Sequence, residues 1–277
     1  MDFLKASGAG NDFVVLPEPL AAPSLEQIRA WCRRGLSLGA DGLCVLRRDG
    51  DEVAMSYFNA DGSEAELCLN GSRCAVRCAL ELGWGKGEIA LRTAAGVLRG
   101  RDAGDGRIRL SAPLPEALPR PVEQSIEGTN YRGWFVTVGV PHLVLFQDRP
   151  LSDAPVAAAG PALRASPAAG PIGANIHFVR LIGEDRFEIR SYERGVEAET
   201  LACGTGVLAT AAATHAAGRG GPPWEALTAG GFILGVEGEV SGARIAQWTL
   251  TGDARIVARG TLSPGAECLP EPPHWSD

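Results

Sequence analysis

The feature that most constrains this chain is a degenerate internal repeat built around two cysteines. Ser56–Gly71 (SYFNADGSEAELCLNG) and Ser191–Gly206 (SYERGVEAETLACGTG) superpose on Cys68 and Cys203 without a gap. In each copy a Ser-Tyr pair opens the stretch, a glutamate (Glu64, Glu199) stands four residues before the cysteine, and a glycine (Gly71, Gly206) stands three after it. Each copy also reads the same way locally: an extended segment, a polar loop, then a cysteine that opens a small-residue helix. In the first copy Asp51 to Phe58 reads as the strand. Cys74, Ala75, Cys78, Ala79 and Leu82 form a helical stripe that stops at Gly83. In the second, Arg186 to Arg190 alternates as a strand does, and Val207 to Ala217 reads as a helix ended by Gly218.

Further segments read as strands: Phe13–Leu16, Glu88–Arg92, Arg107–Leu110, Trp134–Val138, Leu143–Phe146, Ile176–Val179, Phe232–Val236 and Arg255–Val257. Many short strands with one or two helices per half predict two α+β domains. Ser111 to Pro121 carries four prolines and reads as a boundary between them. The Ala/Pro-rich stretch Ser152 to Pro171 reads either as a linker or, around Leu163 and Arg164, as a short surface helix.

The balance of 33 acidic against 26 basic residues, with no Lys/Arg stripe, argues against nucleic acid and anionic membrane as partners. No apolar run approaches the roughly 20 residues that span a bilayer, and Met1–Lys5 has no signal-peptide character, so a cytoplasmic location is expected. Seven cysteines, an odd number with no C-x-x-C pair, suit a reducing compartment, and four scattered histidines give a metal site little support.

A cysteine at a helix N-terminus sits among unpaired N–H groups and the positive end of the helix dipole, which predicts a thiol pKa below the free value of about 8.5. Both Cys68 and Cys203 have that placement, and the glycines after them expose amides that suit a carboxylate. Inverting a stereocentre without a cofactor needs a base on one face and an acid on the other, and two quasi-equivalent thiols supply that pair. A rival reading takes Gly204-Thr205-Gly206-Val207-Leu208-Ala209 as a dinucleotide fingerprint with Glu225 as ribose ligand. Against it, a polar loop separates the preceding strand from Gly204, and no βαβ unit is expected to follow.

Five segments, Gly8–Phe13, Asn59–Ser63, Cys68–Cys74, Glu193–Gly195 and Ala202–Gly206, together and in this order resemble motifs of the diaminopimelate epimerase family, over Lys5 to about Gly252. The resemblance implies an α+β fold of two pseudo-symmetric domains, each with strands wrapped around a central helix, and an active site in the cleft between them. Residues 1–115, joined by a C-terminal strand within 256–277, would carry Cys68, and residues 116–255 would carry Cys203.

It also implies that Cys68 and Cys203 exchange the proton while His142 and Glu193 tune them. Asn11, Asn59, Asn70, Asn175 and Arg194 would contact substrate, with the backbone amides of Leu69, Gly204 and Thr205 on its carboxylate. No metal and no cofactor are implied; the partners are an amino-acid substrate and a second copy of the chain in a homodimer. The implied reaction is pyridoxal-independent epimerisation of LL-2,6-diaminoheptanedioate to the meso form, for lysine and peptidoglycan synthesis. Two departures bear on the substrate: Leu69 stands where the family usually has glycine, and Val140 where it often has asparagine. They leave open a racemase of the same fold acting on another amino acid. Two readings of other classes are a nucleotide-binding oxidoreductase and a binding protein that has lost its chemistry.

Overall fold

In the computed structural model, which describes residues 1–65 and 67–267, the chain runs β1 (Asp2–Gly8), β2 (Asn11–Pro17), α1 (Leu25–Cys32), β3 (Gly42–Asp49), β4 (Glu52–Asn59), α2 (Leu69–Glu81), β5 (Glu88–Thr93) and β6 (Gly96–Gly104). It continues β7 (Arg107–Ser111), β8 (Arg120–Ile126), β9 (Thr129–Val138), β10 (Val140–Phe146), α3 (Val156–Arg164), β11 (Asn175–Leu181), β12 (Arg186–Glu193), β13 (Ala198–Thr200) and α4 (Gly204–Ala216). The last elements are β14 (Trp224–Thr228), β15 (Ile233–Ser241), β16 (Arg244–Asp253) and β17 (Arg255–Thr261). Two compact units result: Met1–Arg99 with the chain from Ala254, and Gly100–Asp253.

In the first unit β17 pairs antiparallel with β1, β1 antiparallel with β2, β2 parallel with β3, β3 antiparallel with β4, and β4 parallel with β5. Helix α2 packs against all six of these strands. Its residues Cys74, Ala75, Val76, Cys78 and Ala79 are fully buried, and their small side chains let the helix axis approach the sheet closely. Leu82 caps the helix, and Gly83 follows at φ +71, the left-handed conformation that glycine adopts without strain. Helix α1 is held at its start by a capping box, in which the Ser24 side chain accepts from the Gln27 amide and the Gln27 side chain accepts from the Ser24 amide.

The second unit repeats this connectivity. Strand β8 pairs antiparallel with β9, β9 antiparallel with β10, β10 parallel with β11, β11 antiparallel with β12, and β12 parallel with β14. A helix joins the same pairs of strands in both units: α1 and α3 lie between the first parallel pair, α2 and α4 between the second. Helix α4 packs against β9, β10, β11, β15 and β16 and is buried almost all round, which its run of alanines permits. Sheet-rich α+β architecture and a repeated topology are therefore both present.

Several details differ from the sequence reading. The first unit ends within β6, because β7 bonds to β6 and β16 and so travels with the second unit. The proline-rich stretch 111–121 lies inside that second unit. Segment 152–171 contains α3, whose Val156, Ala159, Gly160 and Leu163 are buried, which bears out the helical alternative around Leu163 and Arg164 over the linker. A βαβ unit does form around α4, since β12 and β14 are parallel neighbours. Residues 268–277 of the expected C-terminal segment, Cys268 among them, lie outside the described residues. No helix among the described residues is long and apolar enough to cross a membrane.

Candidate active site

Cys68 is the N-cap residue of α2. Its extended backbone (φ −137, ψ 105) turns the side chain back over the first helical turn, where Sγ accepts from the Gly71 amide at 3.4 Å. The Tyr57 hydroxyl also meets this thiol, and burial together with the neighbouring Cys68 raises the Tyr57 pKa, keeping the phenol protonated. The Tyr57 ring has room because position 42 is glycine: a Cβ there would lie 2.7 Å from its Cε2.

In the first turn of the helix, Asn70 bridges Asn11 and Arg73. Its Nδ2 donates to Asn11 Oδ1 at 2.7 Å, and its Oδ1 accepts from Nη2 of the fully buried Arg73, also at 2.7 Å. Asn11 in turn donates to Asp41 Oδ2 at 3.0 Å. Next to it, burial pushes the Asp12 carboxyl up, but hydrogen bonds and charge from Arg34 and Lys5 outweigh that and hold its pKa at about 2. Asn11, Leu69, Asn70 and Cys68 thus share one end of α2. Asn59 ends β4 and donates instead to Ser63 Oγ at 3.0 Å.

Cys203 is the N-cap residue of α4 with nearly the same backbone (φ −114, ψ 105), but its surroundings are different. The residue is buried, its Sγ lies 3.6 Å from Thr205 Oγ1, and it hydrogen-bonds with the Glu193 carboxyl. Thr200, across the β12–β13 hairpin, donates to Glu193 Oε1. Burial first, and then the Glu193 charge, push the Cys203 thiol well above its ordinary pKa, although the Thr205 hydroxyl and the Gly206 amide pull the other way. Burial also raises Glu193. The lowered thiol pKa expected from the helix terminus is therefore reversed at Cys203: desolvation and a carboxylate outweigh the helix dipole.

His142, on β10, is fully buried beside this cysteine. Its Nδ1 lies 2.9 Å from His177 Nε2, and His177 Nδ1 lies 2.8 Å from Ser191 Oγ. Burial lowers the pKa of both imidazoles, that of His142 to about 3, so both are neutral. Asn175 stands opposite His142 in the β10–β11 register and accepts from the Arg194 amide at 2.8 Å. The Arg194 guanidinium donates to the Ile172 carbonyl at 3.3 Å, while Glu197, a possible ion partner for it, pairs with Arg164 instead.

Gly204 and Thr205 open α4 directly after Cys203. Among the described residues, one cluster has metal-ligand character: the donor atoms of His142, His177 and Cys203 lie within 4.8 Å of one another. The hydrogen bonds already engage both nitrogens of His177 and one of His142, which are the lone pairs a metal would need.

Sequence reasoning did not single out Tyr57, Asp41, Arg73, His177, Ser191 or Thr200 as site residues. Tyr57 and Ser191 were visible within the repeat's Ser-Tyr pairs, and His177 stands two residues beyond Asn175, on the same face of its strand.

A family model described as diaminopimelate epimerase matches residues 3–110 and 134–257. The chain belongs to the diaminopimelate epimerase family. It is accordingly an isomerase. A diaminopimelate epimerase of Aquifex aeolicus is 35% identical over 280 residues, covering 95% of this chain and 98% of that protein. Another, of Gemmatimonas aurantiaca, is 36% identical over 283 residues, covering 95% and 99%. Among solved structures, a hydroxyproline epimerase of Agrobacterium vitis with bound trans-4-hydroxy-L-proline shares the fold, with a TM-score of 0.70 at 18% identity over 94% of this chain and 91% of that one. Membership of the epimerase family leaves the nucleotide-binding reading of Gly204–Ala209 without support, and the local structure explains the motif otherwise. A Cβ at Gly206 would lie 2.3 Å from His177 Cε1, so this glycine admits an imidazole.

Proposed function

We propose that this chain inverts one α-carbon of LL-2,6-diaminoheptanedioate to give the meso isomer, without pyridoxal phosphate, and so supplies lysine and peptidoglycan synthesis. The observation that carries this reading is that the central helix of each unit is N-capped by a cysteine, Cys68 in one and Cys203 in the other. In the direction written, Cys68 acts as thiolate and takes the α-proton. The Cys203 thiol, kept protonated by burial and by Glu193, delivers its proton to the opposite face. Cys68 ends as thiol and Cys203 as thiolate, the starting state for the reverse reaction. The first-turn amides of α2 and α4, from Leu69 and Asn70 and from Gly204 and Thr205, stabilise charge developing on the carboxylate as the proton leaves. Arg194 supports the same charge, Asn11, Asn59 and Asn175 orient the substrate, and His142 and Glu193 act on the thiols.

The test is wash-in of solvent deuterium at the α-carbon, read by mass spectrometry under reducing conditions, with LL-diaminopimelate and a panel of L-amino acids. Exchange is expected with diaminopimelate, and conversion of the LL to the meso isomer is expected to vanish in Cys68→Ala and in Cys203→Ala. Full racemisation by either variant would overturn the two-base mechanism. Leu69 and Val140 favour a second reading, a racemase of this fold for another amino acid, and exchange confined to another member of the panel would decide for it.

A further inference from the structure

Two imidazoles and a hydroxyl form an unbroken buried chain in the second unit: His142, His177 and Ser191. Strand register creates it. The three residues come from the neighbouring strands β10, β11 and β12; Asn175 is opposite His142, His177 is two residues further along the same face, and Ser191 is opposite His177. The two rings lie with centroids 5.1 Å apart and planes tilted by 34°. On its other side the His177 ring rests on Gly206 in the first turn of α4, where even a methyl group would collide with it.

A neutral imidazole carries one hydrogen and one lone pair, so this chain has only two hydrogen arrangements. If the Ser191 hydroxyl donates to His177 Nδ1, then His177 Nε2 donates to His142 Nδ1, and the hydrogen of His142 sits on Nε2. If Ser191 accepts, both rings reverse and His142 Nε2 is bare. That nitrogen is buried, the His142 ring also meets the Val138 carbonyl as an acceptor, and the cluster around it holds the Cys203 thiol.

We propose that His177 and Ser191 are positioning residues for His142: they hold its ring and select the nitrogen that carries its hydrogen. They thereby decide whether Nε2 meets the groups beside Cys203 as a donor or as an acceptor. Only the catalytic consequence rests on the function proposed above; the selection of tautomer does not. An orienting partner of this kind is what fixes a histidine tautomer in general.

The experiment is a set of long-range ¹H–¹⁵N correlation spectra of the imidazoles in the full chain, comparing the unmodified protein with His177→Phe and Ser191→Ala. Ser191→Ala removes one oxygen and keeps both rings, so it remains informative if the larger change disturbs folding. The expected result is a single neutral His142 tautomer from pH 5 to 8 in the unmodified protein and a mixture of both tautomers in each variant. Alongside this, kcat is expected to fall at least tenfold while KM changes less than twofold. An unaltered His142 tautomer ratio in both variants would overturn the proposal. Loss of the single tautomer in a protein that turns over no diaminopimelate would sustain it while overturning the function proposed above.

Discussion

Glu193 and Cys203 share a hydrogen bond at the head of α4, and burial raises the pKa of both groups. Neither group bears full charge easily beside the other, so both favour their protonated forms. Cys68, half-buried in the matching position of α2, meets the Tyr57 phenol and the Gly71 amide instead. Both of those neighbours donate hydrogen bonds to its sulfur. Two units with one topology thus surround their capping cysteines differently.

Glu193→Gln retains the size and hydrogen-bonding capacity of the side chain and removes its charge. The pH at which Cys203 becomes reactive toward iodoacetamide, followed peptide by peptide with mass spectrometry, is expected to fall in this variant. A midpoint that stays put or rises would show that the carboxylate does not act on the thiol.

His142 and His177 have folded-state pKa values below the unfolded value of about 6.5. The stability they contribute is therefore present above pH 6.5 and is lost as the pH falls towards the folded value, about 3 for His142. Each costs about 1.4 kcal/mol per pH unit over that window. Asp12, depressed to about 2 from 3.8, contributes in the same sense only below about pH 4, while Glu193, raised by burial, contributes in the opposite sense above its unfolded value, so the histidine share between pH 6.5 and 4.5 is read as the difference between the unmodified protein and His142→Asn. Guanidinium midpoints at pH 7 and pH 5 are expected to show a drop on acidification, and a smaller one in His142→Asn. Equal drops in the two proteins would contradict this.

Gly206→Ala and Gly71→Ala occupy the same place in the two copies of the repeat and are expected to behave differently. A methyl group at Gly206 would meet the His177 ring at 2.3 Å, which forces that buried ring to move at a cost of about 1–3 kcal/mol. At Gly71 the nearest atoms, from Phe13 and Cys44, lie at 3.4 to 3.6 Å, close to ordinary contact. Urea denaturation of both variants compares the costs directly; a loss at Gly71 as large as at Gly206 would count against the packing described.

Asn70→Ala removes the acceptor for the buried Arg73 guanidinium and the donor to Asn11 in one change. The expected loss is about 1.5–3 kcal/mol of unfolding free energy, since the change removes a hydrogen bond to a buried charged group. Denaturant unfolding measures it, and a change under 1 kcal/mol would mean that other partners of Arg73 satisfy it.

The repeat was legible because its signal is local: a cysteine, a glycine three residues on and a strand a dozen residues back define a strand–loop–helix unit wherever they occur. Helix ends at Gly83 and Gly218 were legible for the same reason. Helix α1 escaped the reading even though Ser24 and Gln27 spell a capping box, because its single turn-and-a-half of apolar residues is weak against the surrounding prolines. Strands β3, β14 and β16 are defined by their pairing partners more than by their own composition. The same holds within the site. His177 and Ser191 are isolated polar residues in sequence and become a chain only through the register of three strands. Burial raises the Cys203 pKa most, and the further push from Glu193, ten residues earlier, depends on its being folded back by the β12–β13 hairpin.

Strand β17 returns from the end of the chain to pair with β1, its Thr261 lying opposite Asp2. On a ribosome the first unit is therefore synthesised early but finished late: its β1 edge has no partner until residue 261 emerges, while the second unit, contiguous from Gly100 to Asp253, is already complete. Until β17 is in place, the β1 edge it covers is open to pairing with other chains. Removing Arg255–Thr261 would leave this edge open, so β17 acts as the latch that closes the sheet of the first unit.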